Sequence, residues 1–270
     1  MPELPEVETI RRELEPLVAG RRIAGIEALW EKTLKGLNAA DFNKLFGGRV
    51  ITRLERRGKY LIFRVDGGKC FLVHFRMTGS IITGSGDGSL PRYCRAVIRL
   101  EGNLSLFFTD PRKFGCIEVP DVCGSIFYRL GPEPLDQSFT PEVLVKILST
   151  RKASVKAVLL DQRSIAGIGN MYADEVLFQA GINPFRSASS LSLEEIKLLH
   201  RSIRSVLDRA IERKGATVSD YTRPGGEAGR AQDDFCVAHR RGCSCPCCGN
   251  PVERTVICQR GTYYCPICQH

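Results

Sequence analysis

The sequence predicts an α+β multidomain protein, with an opening helix on a β-sandwich, then a helical domain, then a small four-cysteine zinc ribbon. Three observations carry this reading. Short β-rich runs follow one another from Arg22 to Val119, helical spacing dominates beyond Leu130-Gly131-Pro132-Glu133-Pro134, and two CxxC pairs close the chain. A chain of 270 residues can bury a sizeable core and suits two modest domains better than one large one.

The opening helix follows from Val7, Ile10, Leu14, Leu17 and Val18 at helical spacing, behind Pro2 and Pro5 and ahead of Gly20, which is placed to end it. The strands are read at Val50 to Arg57, Tyr60 to Val65, Lys69 to Phe75, Ala96 to Leu100 and Leu104 to Thr109. Gly58, Asp66-Gly67-Gly68 and Glu101-Gly102-Asn103 supply hairpin punctuation. Hairpins in series with no helix between them read as a sandwich or barrel. The Pro- and Gly-bearing linker sets boundaries of 1–130, 131–235 and 236–270 for the sandwich, the helical domain and the ribbon. In the helical part, Thr140-Pro141-Glu142 has the form of a helix start, and Ser192 with Glu195 has capping-box spacing before a helix reaching about Arg213. Val155 to Leu160 and Met171 to Ala180 read as two more helices, joined through Ala166-Gly167-Ile168-Gly169-Asn170. The polar, glycine-rich stretch from Gly215 to Asp234 is expected to be a mobile loop.

A formal net charge of +9 calls for a polyanionic partner, either nucleic acid or an anionic membrane surface. Glu3, Glu6, Glu8, Glu13 and Glu15 exclude a signal or transit peptide at the start, and no stretch is long and apolar enough to span a bilayer. Eight of the twelve cysteines fall between Cys236 and Cys268, which argues for a reduced, cytosolic protein with a metal site rather than a disulfide scaffold. Cys245-Pro-Cys-Cys248-Gly and Cys265-Pro-Ile-Cys268, separated by 16 residues, have the spacing of one structural Zn²⁺ held between two hairpin tips. Cys243, Cys247 and Cys258 compete on composition, but only Cys245 and Cys248 form a CxxC-Gly knuckle in register with Cys265 and Cys268. Arg260 lies near the tip between the knuckles, where an arginine is ordinarily solvated.

Pro2 follows the initiator methionine directly, and removal of Met1 leaves a secondary amine. An α-amine is roughly 10% neutral at pH 7, against less than about 0.1% for an ordinary lysine, so it is a nucleophile without special tuning. Attack on a sugar C1′ would give a permanently cationic iminium, acidify the C2′ proton and promote loss of the 3′ phosphate, with Glu3 protonating the ring oxygen. Pro-Glu-Leu-Pro-Glu is equally a plain helix start, its prolines and acids suiting the first turn.

The combination of motifs resembles the formamidopyrimidine-DNA glycosylase family from end to end. The matching segments are Pro2-Glu-Leu-Pro-Glu-Val-Glu8, Arg57-Gly-Lys59-Tyr, His74-Phe-Arg-Met-Thr-Gly79, Thr109-Asp-Pro-Arg-Lys-Phe-Gly115, Leu160-Asp-Gln162, Gly167-Ile-Gly-Asn-Met-Tyr-Ala-Asp-Glu175, and the ribbon with Gln259-Arg260-Gly261. The resemblance implies a β-sandwich, a helix-two-turn-helix domain and a zinc ribbon, with a damaged base or abasic site in double-stranded DNA as substrate. It implies excision of oxidised purines followed by β,δ-elimination, by a monomer in the bacterial cytosol. By the same resemblance Pro2 is the Schiff-base nucleophile, Glu3 the acid, Lys59 the proton donor for β-elimination and Arg260 the donor for δ-elimination. Asn170, Arg151 and Lys156 are implied as DNA contacts, with Lys156 near the reacting centre. Met77, Arg112 and Phe114 match the wedge that fills the space left by a flipped base, and His74 matches a further contact while also suiting a structural role.

Three departures from the family pattern stand out. Arg92-Tyr93-Cys94-Arg95 replaces Lys-His-x-His, so a contact normally made by histidine falls to Tyr93 or is lost. The loop from Gly215 to Asp234, matching the lesion-reading loop, is idiosyncratic, and Val237-Ala-His-Arg240 replaces Val-Tyr-Gly-Arg. Two rivals remain: the related endonuclease VIII type, which favours oxidised pyrimidines, and a catalytically silent DNA-binding protein. Leu4 and the set of Met77, Arg112 and Phe114 favour the purine branch, and Pro2, Glu3 and Lys59 together speak for catalysis.

Overall fold

The computed structural model describes the backbone of residues 1–270 and every side chain except those of Ser125 and Ile126. The chain forms two compact units, Met1–Tyr128 with Arg213–Arg230, and Arg129–Glu212 with Ala231–His270.

The first unit opens with α1 (Leu4–Val18), whose Leu4, Val7, Ile10, Leu14 and Val18 are buried. At about 1.5–3 kcal/mol for each large apolar side chain, this face is enough to seat the helix on the sheet. Two sheets follow. One has the order β1-β7-β8-β6, from Ile23–Ala28, Cys94–Leu100, Leu104–Thr109 and Ser80–Ser85; the other has the order β2-β9-β5-β4-β3, from Leu34–Lys35, Cys116–Glu118, Cys70–His74, Tyr60–Val65 and Ile51–Arg57. Their inner faces share one core, in which Phe63 and Phe71 stack at 4.5 Å between ring centres. The middle strands β4 and β5 are apolar on both faces because Ile62, Cys70 and Leu72 form a second cluster with Cys123 and Phe127. The five strands read from the sequence lie within a residue or two of the observed ones.

Two expectations are corrected here. A helix, α2 (Ala39–Phe46), interrupts the strands; Asn38 caps it by accepting from the Asp41 N–H, and Phe42 and Phe46, one turn apart, are buried. The cap and the Phe pair were visible in the sequence, but the window is too short for its periodicity to stand out. Second, Cys70 and Cys123 form a disulfide with a Cα–Cα distance of 5.9 Å, so the chain is not all-thiol. The two residues are 53 apart, and it is the course of the chain after β9 that brings them together.

The second unit holds α3 (Pro141–Leu148), α4 (Val155–Leu160), α5 (Asn170–Gln179), α6 (Leu193–Glu212) and the hairpin β10 (Glu253–Ile257) with β11 (Arg260–Tyr264). The capping box at α6 is formed: the Ser192 N–H donates to Glu195 at 2.7 Å, and the Glu195 N–H to Ser192 Oγ at 3.3 Å. Among the described residues no helix is long and apolar enough to cross a membrane.

Candidate active site and DNA-contact residues

In the first unit Pro2 is buried and Glu3 is 1% exposed, at the start of α1. Glu6 fixes this start from within. One of its oxygens accepts the Glu3 N–H at 2.8 Å and the other the Ala216 N–H at 2.8 Å. Lys59 sits in the two-residue loop between β3 and β4, where Gly58, at φ 55, takes the left-handed position that a tight hairpin demands. Arg56 joins that loop to the helix, reaching Glu8 at 3.2 Å and the Gly58 carbonyl at 3.1 Å. The Arg11, Arg12 and Arg56 guanidinium groups hold the Glu8 carboxyl below its ordinary value against the opposing effect of burial, which is the larger single cause. Pro2 and Glu3 at the start of α1 and Lys59 in the β3–β4 hairpin thus belong to two elements that Arg56 ties together.

His74 ends β5, packed edge-on against Tyr60 at 4.6 Å, and its Nδ1 accepts the Arg76 N–H at 3.0 Å. Burial, with Arg76 and Lys59 nearby, pushes its pKa down to about 3. His74 is therefore neutral, with its proton on Nε2. An unfolded histidine binds a proton near pH 6.5, so in the window from about 3 to 6.5 the unfolded state holds more protons and stability is lost as pH falls. Wild type is expected to lose up to about 2 kcal/mol more unfolding free energy than His74→Phe between pH 7 and pH 5. Urea melts of the two proteins check this; equal losses rule it out.

Met77 lies in the turn after β5, half-buried, beside Arg76 at φ 54. The turn closes through the Gly79 N–H on the Phe75 carbonyl at 2.9 Å, and a Cβ at Gly79 would lie 2.5 Å from that oxygen. Arg112 and Phe114 are exposed, with the Arg112 guanidinium 4.9 Å from the Phe114 ring centre. Their loop is built on Asp110, which is fully buried: its carboxylate accepts from the N–H groups of Arg112 at 3.1 Å, Phe114 at 2.7 Å and Gly115 at 2.7 Å, and from the Thr78 hydroxyl. Tyr93, 40% exposed, has φ 63 and lies under the Arg92 guanidinium at 4.5 Å.

Most of the stretch from Gly215 to Asp234, expected to be a mobile loop, falls in the segment Arg213–Arg230 and is pinned to this unit. Besides the Glu6 contact, the Thr222 carbonyl accepts from Ser80 Oγ at 2.7 Å, the Pro224 carbonyl accepts from the Thr83 N–H at 2.8 Å, and Arg223 pairs with Glu13 at 2.6 Å. All three partners lie more than 130 residues away in sequence, so local composition carried no sign of them.

In the second unit Arg151 is exposed just after α3, and Asn170 opens α5. The Asn170 amide donates to the Gly261 carbonyl at 2.8 Å. Lys156 is fully buried, with its ammonium on Asp174 at 2.7 Å, Thr262 Oγ1 at 2.8 Å and the Gly261 carbonyl at 3.2 Å. Burial pushes Asp174 up to about 7 despite the lysine. Asn170 and Lys156 together hold the residue next to Arg260, which is exposed at the start of β11 behind Cys258 at φ 49 and Gln259 at φ 60. The entry to the ribbon is held by Glu175, which accepts the N–H groups of Cys236, Val237 and Ala238 at 2.7–2.8 Å. Glu6, Asp110, Asp174 and Glu175 were not singled out from the sequence. A buried carboxylate reads there as a surface charge until its partners are known.

Cys245, Cys248, Cys265 and Cys268 place their sulfur atoms within 4.8 Å of one another and form a group able to hold a metal ion. The Cys245–Cys268 and Cys248–Cys265 separations, 3.8 and 3.5 Å, fit the edge of about 3.8 Å of a tetrahedron with metal–sulfur bonds of about 2.3 Å. Asn250 donates to the Cys248 sulfur at 3.6 Å from behind. Cys243, Cys247 and Cys258 are outside this group.

Comparison with known proteins agrees with this layout. Residues 1–117 match the model of the formamidopyrimidine-DNA glycosylase N-terminal domain, and residues 130–222 that of the formamidopyrimidine-DNA glycosylase H2TH domain. A formamidopyrimidine-DNA glycosylase of Symbiobacterium thermophilum is 44% identical over 100% of this chain and 89% of its own length; one from Roseiflexus is 41% identical over the whole of both. Among solved structures, a Lactococcus lactis Fpg in complex with DNA containing an abasic site superposes with a TM-score of 0.92 at 33% identity, covering 99% of each chain. The MutM (Fpg) protein of Thermus thermophilus gives 0.89 at 42% identity, covering 99% of this chain and 98% of that one. Fold and site define a DNA glycosylase of base-excision repair with abasic-site lyase activity. The helix-two-turn-helix expectation holds with it. The chain belongs to the formamidopyrimidine-DNA glycosylase family.

Proposed function

We propose that this chain excises oxidised purines, 8-oxoguanine and formamidopyrimidines, from double-stranded DNA and cleaves the resulting abasic site through Pro2. The observation that carries the reading is the corner in which buried Pro2 and Glu3 share a scaffold with Lys59, braced by Glu6 and the Glu8–Arg56 pair. With Met1 removed, the Pro2 nitrogen donates its lone pair to C1′ as the glycosidic bond breaks and the base departs with that bond's electrons. The attacking nitrogen gives up its own proton to solvent, Glu3 protonates the ring oxygen as the sugar opens, and the nitrogen lone pair closes an iminium between Pro2 and C1′. Loss of the C2′ proton then forms the C2′–C3′ double bond and expels the 3′ phosphate. Lys59 serves that first elimination, and Arg260, whose neighbour Gly261 is held by Asn170 and Lys156, serves the loss of the 5′ phosphate.

Arg151, Asn170, Tyr93 and His74 are read as DNA contacts, with Lys156 a basic residue near the reacting centre, neutral His74 as a hydrogen-bond donor through Nε2, and Met77, Arg112 and Phe114 as the wedge. The four-cysteine group is read as holding one structural Zn²⁺, with the protein working as a monomer in the bacterial cytosol. Residues 1–130 carry the chemistry, residues 131–235 grip the DNA apart from the lesion-reading loop, which packs with the first unit over Arg213–Arg230, and residues 236–270 form the ribbon. The test is single-turnover excision on duplexes carrying 8-oxoguanine, formamidopyrimidine or thymine glycol. The purine lesions are expected to react at least about tenfold faster, a difference of about 1.4 kcal/mol in barrier. Preference for thymine glycol would move the chain to the endonuclease VIII type, and cleavage of none, with tight binding, would make it a silent binder.

A further inference from the structure

Phe114 and Arg112 contact one another, yet Lys113 between them turns the other way, because its own backbone is left-handed at φ 61. Its ammonium lies 4.1 Å from the ring centre of Trp30, the only tryptophan in the chain. Trp30 is half-buried and fixed in turn: its N–H and that of Leu29 donate to the Arg95 carbonyl at 3.0 and 2.9 Å. Arg95 occupies a β-bulge between Cys94 and Ala96, which frees its side chain from the ladder. Its guanidinium donates to the carbonyls of Asp110 at 2.8 Å and Pro111 at 3.4 Å. The loop is thus held at two places: Asp110 ties its amides, while Arg95 holds its carbonyls and Trp30 the Lys113 side chain.

We propose that Trp30 is a positioning residue for the wedge, acting through Lys113 to set the direction in which Arg112 and Phe114 project. This rests on the reading of residues Asp110–Gly115 as the element that fills the space left by a flipped base. A left-handed, non-glycine residue needs an outside contact to keep it there, since the conformation costs about 1 kcal/mol or more. The Trp30 face, the best cation acceptor among the aromatics, supplies that contact.

Excision of 8-oxoguanine opposite cytosine and opposite adenine, in single turnover, reads the result. Arg112→Ala calibrates it: a collapse of the cytosine-over-adenine ratio establishes that the loop reads the partner base. Trp30→Ala is then expected to lower that ratio by about two- to fivefold, the range of one exposed cation–π contact, with Trp30→Phe recovering most of it. Trp30→Ala combined with Lys113→Ala should do no more than either alone. A collapsed ratio in Arg112→Ala with an unchanged one in Trp30→Ala, or losses that multiply in the double variant, overturns the proposal. Should Arg112→Ala keep the wild-type ratio, the wedge reading itself is wrong. Hydrogen exchange at the Phe114 and Gly115 amides then decides the role of Trp30: faster exchange in Trp30→Ala than in Trp30→Phe sustains it, and equal exchange removes it.

Discussion

Borohydride is expected to lock this chain covalently onto lesion-bearing duplex DNA, with the new bond on the nitrogen of Pro2. An iminium is reducible to a stable amine, and a secondary amine is the one group at the opening of α1 that forms a permanently cationic one. A protein that keeps Met1, or carries a fused segment before it, has that nitrogen in an amide with no basic lone pair. Trapping by such a blocked chain should fall by at least about 10³-fold, the scale on which losing a nucleophile slows a covalent mechanism. Duplex affinity should stay within a few-fold, because the exposed Arg112, Arg151 and Arg260 are untouched. Peptide mapping of the reduced adduct and a gel-shift titration of the blocked chain make the two measurements. Undiminished trapping of the blocked chain would falsify the assignment of Pro2.

The ribbon is the second place where a single atom should decide a great deal. Among the described residues its apolar cluster comprises Val237, Cys245, Val252 and Cys265 with Phe178 of α5, and Cys236, Tyr263 and Cys268 pack against it. Such a core is too small to hold a hairpin alone, whereas zinc contributes about 10–16 kcal/mol in comparable peptides. Cys248→Ser or Cys268→Ser should therefore release the metal, loosen β10–β11 and take Arg260 out of place. The loss in DNA affinity should be at least about tenfold, since one charge-assisted contact is worth about 1.5–3 kcal/mol. Circular dichroism should still report the folded β-sandwich, whose core lies entirely within the first unit. Metal analysis of each variant makes the experiment decisive: full affinity in a chain verified to be free of zinc removes the ribbon from the DNA-binding surface.

The difference between what was legible and what was not follows the range of the interactions. Strand and helix positions were readable because the pleat repeats every two residues and the helix every 3.6, so a short window of Leu61, Phe63 and Val65, or of Val7, Ile10 and Leu14, contains the whole signal. Caps are equally local, as the Ser192–Glu195 box shows. The four-cysteine group was legible because the tetrahedral coordination such a group can offer restricts spacing within each knuckle. α2 escaped because its Phe42–Phe46 pair occupies barely two turns inside a β-rich stretch.

Sequence alone therefore determined the opening helix, five of the strands, the main helices of the second unit, the four-cysteine group and the family, each resting on residues close together or on motifs in fixed succession. The tertiary structure decided what those residues are attached to. It set Lys156 on Asp174, joined Cys70 to Cys123, returned Arg213–Arg230 to the first unit through Glu6 and Glu13, and set Trp30 beneath Lys113. A carboxylate or ammonium looks the same in sequence whether it faces water or a partner; burial makes its hydrogen bonds obligatory, and burial is a property of the folded chain.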